Sequence, residues 1–163
     1  MNKHNQTLLT SLYQDYQGMV YQMCLGFVKG DKDLADDLTQ EVFINIWNAL
    51  DKFRGASSYK TWIYRTTVNT CLKFIRDKKN ASNVTLEEMK IGIPNEPEID
   101  RTYQNLYQAI GELHEVDRLI IMMVLDELEY EEISNVMGIS EPSLRVKIHR
   151  IKKKLKTLLR NEN

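Results

Sequence analysis

Residues 130–156, YEEISNVMGISEPSLRVKIHRIKKKLK, read as a short helix, a tight turn and a second helix. Glu131 to Met137 has helical spacing, with Ile133, Val136 and Met137 as its apolar members. Gly138 follows, and glycine takes the left-handed conformation that ends a helix without steric cost. Ile139 can tuck under the turn. Ser140 suits an N-cap, because its hydroxyl can accept from the free amides of the next turn. Pro142 then falls in the first turn, where a missing N–H costs nothing. At about 100° per residue, Leu144, Ile148, Ile151 and Leu155 share one stripe. Ser143, Arg145, Val146, His149, Arg150 and Lys153 lie on the other side. This is a helix-turn-helix layout whose second helix offers a basic, hydrogen-bonding face to a DNA major groove.

An amphipathic helix hairpin with a merely solvated charged face would show the same stripe. Two details favour DNA. The turn is as tight as the motif requires. The charge also switches abruptly: Asp126, Glu127, Glu129, Glu131 and Glu132 lead in, and Arg145, Lys147, Arg150, Lys152, Lys153, Lys154, Lys156 and Arg160 follow.

With 163 residues, 42% of them hydrophobic, the chain can form one ordinary domain or two small ones with real cores. Its net charge is −1, so nucleic-acid binding has to come from local patches. Cys24 and Cys71 stand far apart without a CxxC and read as buried thiols in a reducing compartment rather than a disulfide. The opening MNKHNQTLLT has no apolar core of signal-peptide length. The longest apolar run, Leu119 to Leu125, is too short to span a bilayer. These features predict a soluble, cytoplasmic protein. His4, His114 and His149 are scattered without metal-ligand spacing, and phosphate-binding glycine motifs and HExxH are absent. The adjacent pairs Asp36–Asp37 and Glu131–Glu132 would point about 100° apart on a helix, which makes them poor acid/base partners. No cofactor, metal or catalytic residue is expected, and the chain does not read as an enzyme.

In chain order, Thr7 to Lys29 has a helical pattern with Leu12, Tyr16, Met19, Met23 and Phe27 on its core side. Asp33 to Leu50 is a second helix, acidic at its start as the helix dipole favours. Its core stripe is Leu34, Leu38, Val42, Ile46 and Ala49. Phe43 and Trp47 form a second apolar pair one turn apart, which on pattern alone is best covered from within the same domain. The loop DKFRGASS, residues 51–58, leads to a third helix from Tyr59 to Lys78, whose core side is Ile63, Tyr64, Thr67, Val68, Cys71, Phe74 and Ile75. Trp62, Arg65, Thr66, Asn69, Lys73 and Arg76 fall within an arc of roughly 100° on the opposite side. Aromatic, amide, hydroxyl and cationic groups on one line suit a nucleic-acid strand, with bases stacked and phosphates neutralised. The plainer alternative is that Trp62 packs against the loop before it. From Asp77 to Glu98 the chain turns polar and aperiodic, with Gly92, Pro94 and Pro97, and reads as a linker with a helical turn at Leu86 to Met89. Helical pattern resumes with Ile99, Tyr103, Leu106, Tyr107, Ile110 and Leu113. Val116 to Leu128 then contributes Leu119, Ile120, Met123 and Val124 as core. The predicted fold is all-α: two small helical domains, 1–78 and 99–163, joined by a flexible linker at 79–98.

Two blocks also resemble a known family. DLADDLTQEVFINIW, followed by DKF and SSYKTWIYRTTVNTCLKFIR, resembles region 2 of bacterial sigma-70 factors. YEEISNVMGISEPSLRVKIHRIKKKL resembles their region 4. The short separation is similar to that of the extracytoplasmic-function (ECF, group 4) sigma factors. The resemblance implies an alternative sigma factor that binds RNA polymerase core and directs promoter-specific initiation. Asp37, Gln40, Glu41, Phe43 and Trp47 would dock on the clamp helices of the largest core subunit, and region 4 on the flap of the second-largest. Arg54, Ser57, Ser58, Trp62, Arg65, Thr66, Asn69, Lys73 and Arg76 would hold the −10 element. Ser140, Ser143, Arg145, Val146, Lys147, His149, Arg150 and Lys153 would meet the −35 element. A membrane-bound anti-sigma factor is a further candidate partner, the chain itself not being a membrane protein.

The chain departs from the family pattern in three places. Trp62–Ile63 stands where housekeeping sigma factors carry two tryptophans, which weakens any expectation of unaided DNA melting. Ser134 replaces the usual Ala, and Ser143–Leu144 the usual Thr–Val. The rival readings are a one-component helix-turn-helix transcriptional regulator, for which no ligand pocket or dimer heptad is visible, and a small helical nuclease, for which no carboxylate or histidine cluster can be built. Residues 77–101, taken as mobile, would span at most roughly 85 Å extended and about 25–30 Å as a coil. The two promoter elements lie about 25 base pairs, or roughly 85 Å, apart. The free protein is therefore expected to be compact, with its halves touching and their DNA faces hidden until core polymerase separates them.

Overall fold

The computed structural model of the protein describes residues 2–82 and 101–161. These form seven α-helices and one 3-10 turn, with no strand among the described residues. The first group is α1 (Lys3–Phe27), α2 (Lys32–Ala49), the 3-10 turn (Leu50–Lys52) and α3 (Tyr59–Ser82). The second is α4 (Arg101–Gly111), α5 (Glu115–Leu125), α6 (Tyr130–Met137) and α7 (Glu141–Asn161). The all-helical, two-group expectation holds. The predicted turn at Leu86–Met89 and most of the predicted linker lie outside the described residues, and α3 runs on to Ser82, past its expected end at Lys78.

Local chemistry sets the helix ends. α1 stops where Lys29 and Gly30 take positive φ (58° and 83°), and the Gly30 amide donates back to the Leu25 carbonyl at 2.8 Å. Asp31 caps α2, accepting from the Leu34 amide at 3.1 Å. Ser58 caps α3 in the same way through the Thr61 amide at 3.1 Å. In the first group, Val20, Cys24 and Phe27 of α1, Val42 and Ile46 of α2, and Ile63, Tyr64 and Cys71 of α3 are all but sealed from solvent. Cys24 and Cys71 are buried free thiols, as the sequence suggested. The hydrogen bond that the Cys71 thiol donates to Cys24, then burial, holds that thiol well above its usual range, so it stays protonated and unreactive.

The two groups are packed together, as expected for the free chain. Helix α5 buries six consecutive residues, Arg118 to Met123. One side faces the second group and the other faces α1, so a one-sided periodicity could not have identified Ile121 and Met122 as core. Gly26 permits the close approach: a Cβ there would lie 2.4 Å from Met122 Sδ. Arg118, only 2% exposed, lies 5.5 Å over the Phe27 ring and donates to the Gly111 carbonyl at 3.4 Å. Polar ties surround this seam. The Tyr64 hydroxyl donates to Asp126. Tyr107 donates to Gln22 at 2.6 Å, and Lys79 pairs with Glu115 at 3.0 Å.

Candidate nucleic-acid interface

The helix-turn-helix forms as its sequence dictates. Gly138 ends α6 in the left-handed conformation (φ 68°), and its amide and that of Ile139 both donate to the Ser134 carbonyl. The Ser134 hydroxyl donates to the Ile139 carbonyl, so the departure from the usual alanine adds a bond across the turn. Ser140 starts α7, its hydroxyl accepting from the Ser143 amide at 3.4 Å. Leu144, Ile148, Ile151 and Leu155 are all buried. Because that stripe is fixed against the bundle, Ser143, Arg145, Val146, His149, Arg150 and Lys153 face solvent, and Val146 is 51% exposed. Lys147 sits half-buried at the margin. Two of this set have side-chain partners among the described residues: Ser143 Oγ accepts from Ser140 Oγ at 2.9 Å, and the Arg145 guanidinium pairs with Glu141 at 2.7 Å and lies 5.1 Å over the Tyr130 ring.

On α3, Asn69, Lys73 and Arg76 are exposed, while Trp62, Arg65 and Thr66 are half-buried. Trp62 packs against the preceding loop, 4.8 Å from Phe53 between ring centroids, and Phe53 stacks on Tyr59 at 4.7 Å. The plainer reading of Trp62 therefore describes its environment in the free chain. Thr66 donates back to the Trp62 carbonyl at 2.9 Å, and Ser58 is occupied as the cap of α3. Arg54 is exposed beside Gly55, whose φ of 73° lets the loop turn, and Ser57 is half-buried. Arg65 Nε donates to the Asn135 carbonyl of α6 at 3.3 Å. The expectation that the touching halves hide both DNA faces is thus corrected. Contact reaches the Arg65 end of α3, but the outer face of α7 stays open because only its apolar stripe faces the bundle.

The outer face of α2 carries exposed Asp37, Gln40 and Glu41, with Trp47 half-buried. Phe43 is not part of that surface. It is 7% exposed and meets Tyr13 of α1 edge-on at 4.9 Å, so it packs within the chain, as the pattern reading held. Sequence reasoning missed Ile44, which is 51% exposed among those polar residues. An apolar residue out of phase with the Leu38–Val42–Ile46 stripe was the available signal. Among the described residues, no group of three or more His, Cys, Asp or Glu could hold a metal, and no helix is long and apolar enough to cross a membrane.

Fold and site together define a two-part helical protein ending in a helix-turn-helix DNA-binding unit. Residues 12–81 match the family Sigma-70 region 2, and residues 103–155 match Sigma-70, region 4. The ECF RNA polymerase sigma-E factor of Escherichia coli K12 is 30% identical over 166 residues, covering 92% of this chain and 85% of that protein. The ECF sigma factor SigW of Bacillus subtilis is 25% identical over 176 residues, covering 99% and 94%. Among solved structures, the sigma factor RpoE of Bartonella quintana, in complex with the anti-sigma factor NepR, has the same fold (TM-score 0.80, 17% identity, covering 94% and 98%). So does CnrH, in complex with the cytosolic domain of CnrY (TM-score 0.73, 21% identity, covering 97% and 91%). The chain belongs to the ECF RNA polymerase sigma factors of the sigma-70 family, alternative sigma factors that direct transcription initiation.

Proposed function

We propose that this chain docks on RNA polymerase core through the outer face of α2, holds the −10 element along residues 54–76, and reads the −35 element with α7. The working units are 1–78 and 99–163, with 79–98 as the connection. The exposed face of α7, polar and basic on a helix whose opposite stripe is locked into the bundle, carries this reading. The protein works in the cytoplasm as a non-catalytic subunit, and an anti-sigma factor is a further partner. Run-off transcription with core polymerase, with and without the chain, tests the proposal. Promoter-dependent transcripts that require the chain are expected, and their absence would overturn it.

The packed arrangement adds a constraint. A compact chain of this length has a radius of gyration of about 15 Å, hence a diameter of about 40 Å. Promoter elements roughly 85 Å apart cannot both be read from it. Engagement of a whole promoter therefore requires the two halves to separate on the polymerase.

A further inference from the structure

We propose that Glu141 and Tyr130 are positioning residues that fix the guanidinium of Arg145 and so set which base pair is accepted at one −35 position. The inference rests on the assignment of α7 to that element. Arg145 Nη2 donates to Glu141 Oε1 at 2.7 Å, one helical turn back. Its Cζ lies 5.1 Å from the centroid of the Tyr130 ring, which belongs to the neighbouring helix. Tyr130 is itself tied to α7, its hydroxyl accepting from Lys152 Nζ at 3.4 Å. Ser140, whose hydroxyl caps α7, fixes the helix start from which Glu141 projects. The guanidinium is thus held along one edge by a carboxylate and across one face by an aromatic ring. An arginine has five N–H donors in a planar fork, so donors remain for a base edge.

The Arg145 side chain is 60% exposed and that of Glu141 41%, so the pair adds little to fold stability. Its consequence is orientation. A free arginine can swing to any nearby phosphate or purine. A clamped one offers its fork along one line, and two parallel bonds to a guanine demand that alignment. The carboxylate also repels backbone phosphates, which discourages the sequence-independent contact. Glu141 therefore restrains Arg145 in two ways that both favour base reading.

The test uses holoenzyme, core polymerase plus the full chain, on a promoter library randomised across the −35 region. In Glu141→Ala, initiation from the preferred base should fall a few-fold and initiation from other bases should rise. The preference at one position should then shrink about tenfold, with other positions unchanged. The salt dependence of binding should steepen by about one phosphate contact. Arg145→Ala should lose the same preference, and the double variant should lose no more than Arg145→Ala alone. Glu141→Gln keeps an acceptor oxygen without the charge, so it should fall between wild type and Glu141→Ala. Tyr130→Phe should retain the preference better than Tyr130→Leu. Circular dichroism of each variant guards against simple loss of the helix. An unchanged preference in folded Glu141→Ala, a uniform change at every position, or additive losses in the double variant would overturn the proposal. Wild-type holoenzyme that initiates nowhere in the library would overturn the assignment of α7 itself.

Discussion

Tyr64→Phe should loosen the contact between the two halves while sparing the fold of each. The ring is 1% exposed and packed in the first group, and its hydroxyl donates to Asp126 at the end of α5 in the second. Phenylalanine keeps the packing and deletes only that bond. Hydrogen bonds to charged groups contribute about 1.5–3 kcal/mol. Asp126 is exposed and regains water, so the loss belongs at the lower end, about 1.5 kcal/mol. About 1.4 kcal/mol is a factor of ten, so the open-to-closed ratio of the free chain should rise roughly tenfold. Single-molecule energy transfer between dyes on cysteines placed at exposed Lys60 and Thr157 would read this directly, the native thiols being buried. Asp126→Asn should act in the same direction and add little to Tyr64→Phe, because both remove one interaction. Burial, then the Asp126 hydrogen bond and charge, push the Tyr64 phenol far above its usual range. It stays neutral, and its contribution should not change between pH 6 and 9. A transfer distribution unaltered by Tyr64→Phe, or full additivity with Asp126→Asn, would show that this bond does not hold the halves together.

Four further outcomes are expected. Phe43→Ala should destabilise the first group by about 3–5 kcal/mol in thermal unfolding, as loss of a buried aromatic does. Trp47→Ala or Ile44→Asp should weaken capture by core polymerase with the melting curve nearly unchanged. Arg150→Ala should cost roughly 1–3 kcal/mol at one −35 position if it reads a base, and weaken all sequences equally if it contacts phosphate; footprinting of holoenzyme on single-base variants separates the two. Burial pushes the Glu115 carboxyl up, but the Lys79 hydrogen bond and the charges of His114 and Lys79 outweigh this and leave it below its ordinary 4.5. A lowered carboxyl stabilises fully above that value and loses its contribution as pH falls through the lowered one. The Lys79–Glu115 tie should therefore weaken only in acid below about pH 4.5, and Glu115→Gln should flatten that part of the energy-transfer pH profile.

What the sequence made legible was whatever depends on neighbours along one helix. The turn at Gly138, the cap at Ser140 and the Leu144–Ile148–Ile151–Leu155 stripe all follow from spacing and local backbone chemistry, and all three form. Periodicity says which residues share a face but not what covers it. Phe43 and Trp47 read as one surface, yet Tyr13 of another helix covers the first and leaves the second half-open. Trp62 heads a polar line, but the ring it meets, Phe53, comes from a loop with no period to read. Nothing in the sequence pattern marks Arg118 for burial. It is buried because α5 has α1 on its far side, a contact between halves that no pattern within one helix reports.

Arg118 also bears on whether closure can be undone. Polar ties through Tyr64, Arg65, Tyr107 and Lys79 cross between the halves among the described residues. At about 0.5–1.5 kcal/mol each, they contribute a few kcal/mol. Against them stands Arg118, whose buried Nε has no partner among the described residues and whose guanidinium burial drives below its usual range. An unsatisfied buried donor costs about 1–3 kcal/mol, which offsets part of that contribution. Driving a two-state equilibrium from 99:1 to 1:99 takes about 5.5 kcal/mol of differential binding. Core polymerase that bound only the open form, at micromolar to nanomolar strength, would provide about 8–12 kcal/mol of such a difference. Replacing a buried charge by an apolar side chain of similar volume is often neutral or stabilising by about 1–4 kcal/mol. Arg118→Met should accordingly tighten closure, raising the high-transfer population of the free chain and the core concentration needed for half-maximal transcription. If the open population grew instead, the stacking of Arg118 on Phe27 would outweigh the unpaired donor, and the arginine would be part of the latch rather than its release.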